Sequence, residues 1–321
     1  MKSISKLTDF YYTTLYPTLK KLDKEREHLR YRIIVISVIM AIFGITLLFG
    51  FKEFVFDNPD IIIFFCTGYI GLNAIIYKIL TKKYTKKFKN SIIQPLIKEI
   101  DDTLEYIPQL YVSSHHFNRS QIFLKRPDKY SGNDLVRGKI DGVDIEFSDI
   151  YAQKRDKTSD SKQRYETIFR GLFIVSEFNK NFKARTVVLP DMAQNSFGDI
   201  VGNWIQSNNI NRSELVKMDN SEFEKEFVVY STDQIEARYI LTPSLMQKIV
   251  EFKKGSKHPI CLSFVGGNIY IAIKSNKDSF EPSVFRSLLK YKIAMQYINT
   301  LHLSIGIIEE LKLNQKLWSK R

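Results

Sequence analysis

Cysteine is nearly absent: Cys66 and Cys261 are the two thiols in 321 residues. That scarcity excludes a disulfide scaffold and a four-cysteine zinc site. Histidine is also sparse, at five residues. His115 and His116 are neighbours in sequence, so their rings leave the backbone in different directions, and no cysteine or carboxylate stands nearby at ligand spacing. Neither a metal nor another cofactor is expected. No G-x-S-x-G elbow, phosphate-binding P-loop or G-x-G-x-x-G turn occurs, so the common signatures of hydrolase, nucleotide and dinucleotide chemistry are missing. Charge, too, is missing from two long stretches, and those stretches are the most informative part of the chain.

Ile33 to Phe51 is a run of 19 residues without a charge. As a helix it spans about 28 Å, close to the ~30 Å hydrocarbon core of a bilayer. Ile61 to Tyr77 is a second such run of 17 residues, and it reaches Leu80 if Lys78 snorkels. The connection from Lys52 to Asp60 holds the turn formers Asp57, Asn58, Pro59 and Asp60. The pattern predicts a transmembrane helical hairpin over 33–80, with spans at 33–51 and 61–80. Buried helices of a soluble core would show a polar face, and these do not. A cleaved signal peptide fits poorly, because the first run begins after 32 residues and no small-residue cleavage site follows it. Lys and Arg number eight in residues 1–32, one in the loop and six from Lys78 to Lys89. By the positive-inside rule both termini are expected in the cytoplasm, a reducing compartment that suits the free thiol of Cys261.

The formal net charge is +13, with a pI near 9.4. Residues 1–32 account for +4 of it and residues 78–98 for +7. Basic residues beside anionic lipid contribute roughly 1 kcal/mol each, so the membrane surface explains the clusters without a nucleic-acid partner. Lys82, Lys83, Lys86, Lys87 and Lys89 are the predicted lipid-surface contacts. The basic, aromatic-rich stretch Tyr84 to Lys89 has no nucleic-acid motif around it.

Around the hairpin the periodicity changes twice. Residues 1–32 read as an amphipathic helical lead-in with a break at Pro17, and 81–110 as a helical stalk kinked at Pro95. Residues 111–282 read as a β-rich cytosolic domain. Asp141-Gly142 and Gly266-Gly267 each mark a tight hairpin, and Thr167 to Phe178 is apolar on both faces, as a central strand would be. Thr242-Pro243 starts a helix that Gly255 stops. Residues 283–321 read as a C-terminal helix beginning near Pro282, its apolar stripe serving as a packing face or as a homodimer seam. The predicted fold class is therefore α+β: the hairpin, the stalk, then a sandwich or partial barrel with capping helices.

Several segments resemble a bacterial family catalogued as a domain of unknown function, number 3137. They are Ile168-Phe169-Arg170-Gly171-Leu172-Phe173, Phe178-Asn179-Lys180-Asn181-Phe182-Lys183, Thr186-Val187-Val188-Leu189-Pro190-Asp191, and Phe227 to Pro243 with Asp233 and Glu236-Ala237-Arg238 inside it. Gly138, Gly142 and Phe147-Ser148-Asp149 fit the same pattern, and the likeness covers roughly 85–280. Ala184 departs from it, because glycine with a positive φ is expected there. The resemblance implies a bacterial inner-membrane protein with a shared β-rich domain, and it brings no activity or catalytic residue.

Lys180, Arg185, Asp191, Asp233, Glu236 and Arg238 are the candidate ligand-binding residues, and Asp149 is a further polar residue in the motifs. Against that stands a structural reading: Asp191 as a turn former, Asp233 and Glu236 as a helix-start pair, and Arg238 buried against one of those acids. The expected function is a membrane-anchored binding or scaffold module recognising a protein or an anionic ligand near the inner leaflet. The alternative is a membrane-tethered hydrolase or transferase using carboxylates of the β-rich domain as acid and base.

Overall fold

The computed structural model describes residues 3–52, 60–140, 142–156, 164–177, 183–191, 214–256, 258–275 and 277–318. They fall into two compact units. One comprises residues 5–96 and 280–297, the other 1–4, 97–279 and 298–321.

The first unit is helical. Helix α1 (Ile4–Thr13) is followed by α2 (Tyr16–Gly50), which runs without interruption from the basic lead-in into the first apolar stretch. Pro17 lies in the first turn of α2, where its missing N–H costs nothing, so the break in the lead-in falls just before it, at Thr14 and Leu15. Helix α3 (Asp60–Phe88) packs beside α2, and the Ser37 and Tyr69 hydroxyls meet at 2.8 Å. Both helices are long and apolar enough to cross a membrane, and no residue of their most apolar stretches is buried. Phe43 and Phe64, for example, are 64% and 75% exposed. Near Pro95 the chain widens into a π turn (Lys89–Ile93) before α4 (Gln94–Ile100). A proline cannot donate to the carbonyl four residues back and its ring crowds it, and the wider turn relieves that clash.

Residues 280–290 form turns and not the helix expected from Pro282; α9 begins at Tyr291 and runs to Trp318. Side chains of α2 take the place of helical hydrogen bonds. Asp23 accepts from the Leu288 N–H at 2.9 Å and the Ser287 hydroxyl at 3.0 Å. Arg26 donates to the Val284 carbonyl at 3.0 Å and to Asp23 at 2.8 Å. In α9 the buried positions include Ala294, Tyr297, Ile298, Leu301 and Ile305, whereas Tyr291 is exposed.

The second unit is built on one sheet. Its strands are β1 (Glu105–Ile107), β2 (Lys129–Ile140), β3 (Val143–Arg155), β4 (Tyr165–Glu177), β5 (Thr186–Pro190), β6 (Glu214–Val216), β7 (Phe227–Ser231), β8 (Ile260–Val265) and β9 (Asn268–Lys274). Among the described residues these nine form an open sheet in the order β1-β2-β3-β4-β9-β8-β5-β7-β6, with every pairing antiparallel. This corrects the expected sandwich or barrel. The β8–β9 hairpin enters between β4 and β5 and joins the β1-β2-β3-β4 meander to β5, β7 and β6 in one continuous ladder. The shorter helices are α5 (Ser114–Arg119), α6 (Ser221–Glu224), α7 (Gln234–Ile240) and α8 (Pro243–Ser256).

The core gathers Phe169, Phe173, Val175, Tyr270 and Ala272 from the sheet with Val112, Phe117, Ile122 and Phe123 from the segment carrying α5. Phe117 and Phe123 stack with ring centroids 4.6 Å apart. Gly171 in β4 has φ +149°, and a Cβ there would lie 2.1 Å from the Ile273 carbonyl oxygen of the neighbouring strand. Only glycine lets those backbones approach so closely.

Candidate functional site

One row of side chains crosses the sheet at the β1 edge. The register places Glu105 beside Arg137, Arg137 beside Glu146, and Glu146 beside Val175. Alternation along each strand puts all four on the same face. Above them sits α5, whose start is fixed by Ser113: its hydroxyl caps the helix by accepting from the His116 N–H. The cap sets the helix so that His116 Nε2 comes to 3.4 Å from Glu146 Oε1.

These residues line a cleft of about 570 Å³, with Thr103, Lys139, Asp144, Glu177 and Asn268 among the others. Its charges are partly committed. Arg137 pairs with Glu105 at 2.8 Å and Lys139 with Asp144 at 3.3 Å. His116 Nδ1 and Glu146 Oε1 are buried yet make no hydrogen bond. Such atoms are uncommon, because an unsatisfied buried polar atom costs about 1–3 kcal/mol. The buried Tyr270 ring lies 6.3 Å from that of His116. Burial raises the Tyr270 phenol above its ordinary pKa and Glu146 adds to this, while Arg119 and Asn268 pull it back. With two acids already paired, the groups left to a ligand are Glu146, Glu177 and the His116 imidazole. That set suits a hydrogen-bond donor or a cation.

The residues singled out from sequence lie elsewhere. Asp233 is the N-cap of α7, accepting from the Ile235 and Glu236 N–H groups. The Glu236 carboxylate accepts from the Ala184 N–H at 3.2 and 3.3 Å. Ala184 is not among the residues with positive φ, so its backbone needs no glycine. Arg185 donates to Gln121 Oε1 at 2.7 Å, and burial lowers its pKa. Asp191 ends β5 at the opposite end from these residues, with its N–H on the Glu226 carbonyl at 3.0 Å. Arg238 is exposed and reaches the Lys217 carbonyl at 3.4 Å. The buried ion pair expected for it is absent among the described residues, because its place on α7 turns it away from the sheet. The structure thus brings Arg185, Asp233 and Glu236 to one corner, and none of these lines the cleft. Lys180 lies outside the described residues.

Of the lysines, Lys82, Lys83, Lys86 and Lys87 are exposed on α3, and Lys87 pairs with Glu25. Lys89 departs from the expected lipid-facing set: it is buried in the π turn and pairs with Glu281 at 2.6 Å. His116 and Glu146 were not singled out as a site from sequence. Their one local signal is that Glu146 alternates with Ile145 and Phe147 in a strand whose partners are apolar.

No curated protein matches the chain. Among solved structures, the crystal structure of the mycobacterial trehalose monomycolate transport factor A, TtfA, matches at 12% identity and a TM-score of 0.33, covering 64% of this chain and 92% of that one. The likeness to the family of unknown function extends differently from the 85–280 read off the motifs: it takes in β4 to β9 and much of α9, and leaves the β2–β3 hairpin outside. Residues 167–313 match the family model described as protein of unknown function, DUF3137.

Proposed function

We propose that the chain is a membrane-anchored binding module that takes a basic side chain of a protein partner into the His116–Glu146 cleft. The observation that carries this is Glu146 Oε1, buried and without a hydrogen bond at 3.4 Å from His116 Nε2, in a cleft whose other charges are largely paired. A lysine ammonium or arginine guanidinium would satisfy Glu146 and lie within reach of Glu177. Charge-assisted hydrogen bonds of this kind contribute about 1.5–3 kcal/mol. Support for the anchor comes from α2 and α3, whose most apolar stretches hold no buried residue and need a cover that lipid supplies. The lysine distribution orients them as a hairpin in the cytoplasmic membrane with both termini inside.

Two series of peptides, centred on Lys/Arg or on Glu, test the reading against the detergent-solubilised chain. The basic series is expected to bind, and Glu146→Gln to weaken it about tenfold or more. Binding of the acidic series alone would overturn the assignment. A second reading uses the same contact, since Glu146 against His116 is an acid–base pair of the kind a tethered hydrolase needs. It predicts turnover of a bound peptide or ester that Glu146→Gln abolishes while binding persists.

A further inference from the structure

Between the polar ends of α2 and α3 lies a second cleft, of about 590 Å³, within the usual range for small-ligand sites. Its position follows from the sequence of the two helices. Arg32 immediately precedes the first uncharged run, and Lys83 lies one turn beyond Leu80, where the second run ends. Both line the cleft, as do His28 and Lys87. Leu29 and Leu80 supply apolar wall at the same level. The cleft therefore straddles the boundary between the apolar stretches and the charged ends.

Its charge is unbalanced. The one acid in the lining, Glu25, is taken by Lys87. Among the described residues Arg32 and Lys83 have no ion pair, so two positive charges face the cavity. Lys82 and Lys86 belong to the same cluster in sequence yet do not line the cleft. Helical geometry is the cause: residues four apart share a face, so Lys83 and Lys87 turn toward α2 while Lys82 and Lys86 turn away.

We propose that this cleft binds the phosphate of an anionic glycerophospholipid, with Arg32 and Lys83 on the phosphate and the leucines against the start of the acyl chains. Arg32 offers the planar fork that suits phosphate oxygens, and Lys83 a point charge. This rests on the reading that α2 and α3 span a membrane. It goes beyond that reading, because it assigns a single stoichiometric site in place of a diffuse basic surface.

The test uses the full chain. Integration is measured first, by resistance of the membrane-bound chain to alkaline carbonate. Retention of phosphatidylglycerol against phosphatidylcholine is then measured by native mass spectrometry from detergent. One phosphatidylglycerol per chain is expected. Arg32→Gln with Lys83→Gln should weaken its retention roughly a hundredfold, the effect of losing two charge-assisted contacts to the phosphate. Lys82→Gln with Lys86→Gln removes the same charge and should leave retention within about twofold, since both side chains lie outside the cleft. Each double variant is checked for unchanged helical circular dichroism, so that loss of binding is not loss of fold. Equal loss in both double variants would show diffuse electrostatics and overturn the site. Retention unaffected by either would overturn it as well. Millimolar inorganic phosphate displacing the lipid would reassign the cleft to a soluble phosphate. Extraction by carbonate would overturn the membrane reading together with the site, whereas integration without selective retention would overturn the site alone.

Discussion

Replacing Asp23 by alanine is expected to release the 284–288 segment from α2 and to destabilise the helical unit by about 3–5 kcal/mol, the cost of breaking a buried ion pair from one side. Asp23 is 7% exposed and Arg26 3%. Burial alone would raise the Asp23 carboxyl, yet hydrogen bonds from Arg26, Leu288 N–H and Ser287, with the Arg26 charge, hold it below its ordinary pKa. Removing the carboxylate leaves the Arg26 guanidinium, the Leu288 N–H and the Ser287 hydroxyl short of an acceptor at once. Asp23→Asn keeps an acceptor for Leu288 and should lose less. Because the folded-state value is depressed, the contribution is present at neutral pH and is lost as pH falls through that value. The readout is limited trypsin cleavage at Arg286, slow in the wild type and fast in Asp23→Ala. Unchanged cleavage would mean that the turns of 280–290 hold without the α2 clamp.

That clamp also shows where the sequence stops being informative. Pro282 and the apolar spacing after it read as a helix start, because local pattern registers proline's preference for a first turn and nothing more. What prevents a helix there is a carboxylate and a guanidinium more than 250 residues earlier in the chain. Features settled within a few residues were legible. Gly266-Gly267 joins β8 to β9, Asp233 caps its helix, and Pro243 opens α8. The order of strands was not, since the insertion of β8 and β9 between β4 and β5 depends on pairings about 75–105 residues apart in sequence. Alternation of apolar residues is equally consistent with a sandwich, a barrel or this open sheet.

The cleft was hidden for the same reason. His116 is set by a serine cap on a six-residue helix and Glu146 by its register against Val175, and neither fact is written near the other. Adjacency to His115 drew attention to metal binding, which the spacing disfavours. Conversely, two acids that stood out in the motifs, Asp233 and Glu236, accept from backbone N–H groups. Where a motif is dense with conspicuous polar residues, capping and loop docking compete with ligand binding for the same side chains.

Asp149 carries the second large expected effect, and it is one of pH. The residue is 3% exposed in the middle of β3, and its carboxylate accepts from the Ser279 hydroxyl at 2.7 Å and from the Ser279 N–H. Burial pushes its pKa up to about 7, against the pull of the two Ser279 hydrogen bonds, and the nearby Asp134 and Asp278 push the same way. Asp134 is itself buried, in the bulge of β2 opposite, and accepts from the Tyr106 hydroxyl. Since the folded value is raised, the folded state holds the proton after the unfolded chain has released it. Stability from this group is complete below pH of about 4 and is lost as pH climbs to about 7, with no further change above. The gap sets a ceiling of about 4 kcal/mol. Asp149→Asn removes the charge and keeps both partners, because its oxygen accepts from the Ser279 N–H and its amide donates to the Ser279 hydroxyl. The variant should match the wild type near pH 4 and exceed it by a few kcal/mol at pH 8, in urea denaturation followed by circular dichroism. Comparing the two chains at each pH cancels the acid sensitivity of all the other carboxylates. A variant less stable than the wild type at pH 8 would show that the charged carboxylate is needed where it stands, and that burial does not dominate its energetics.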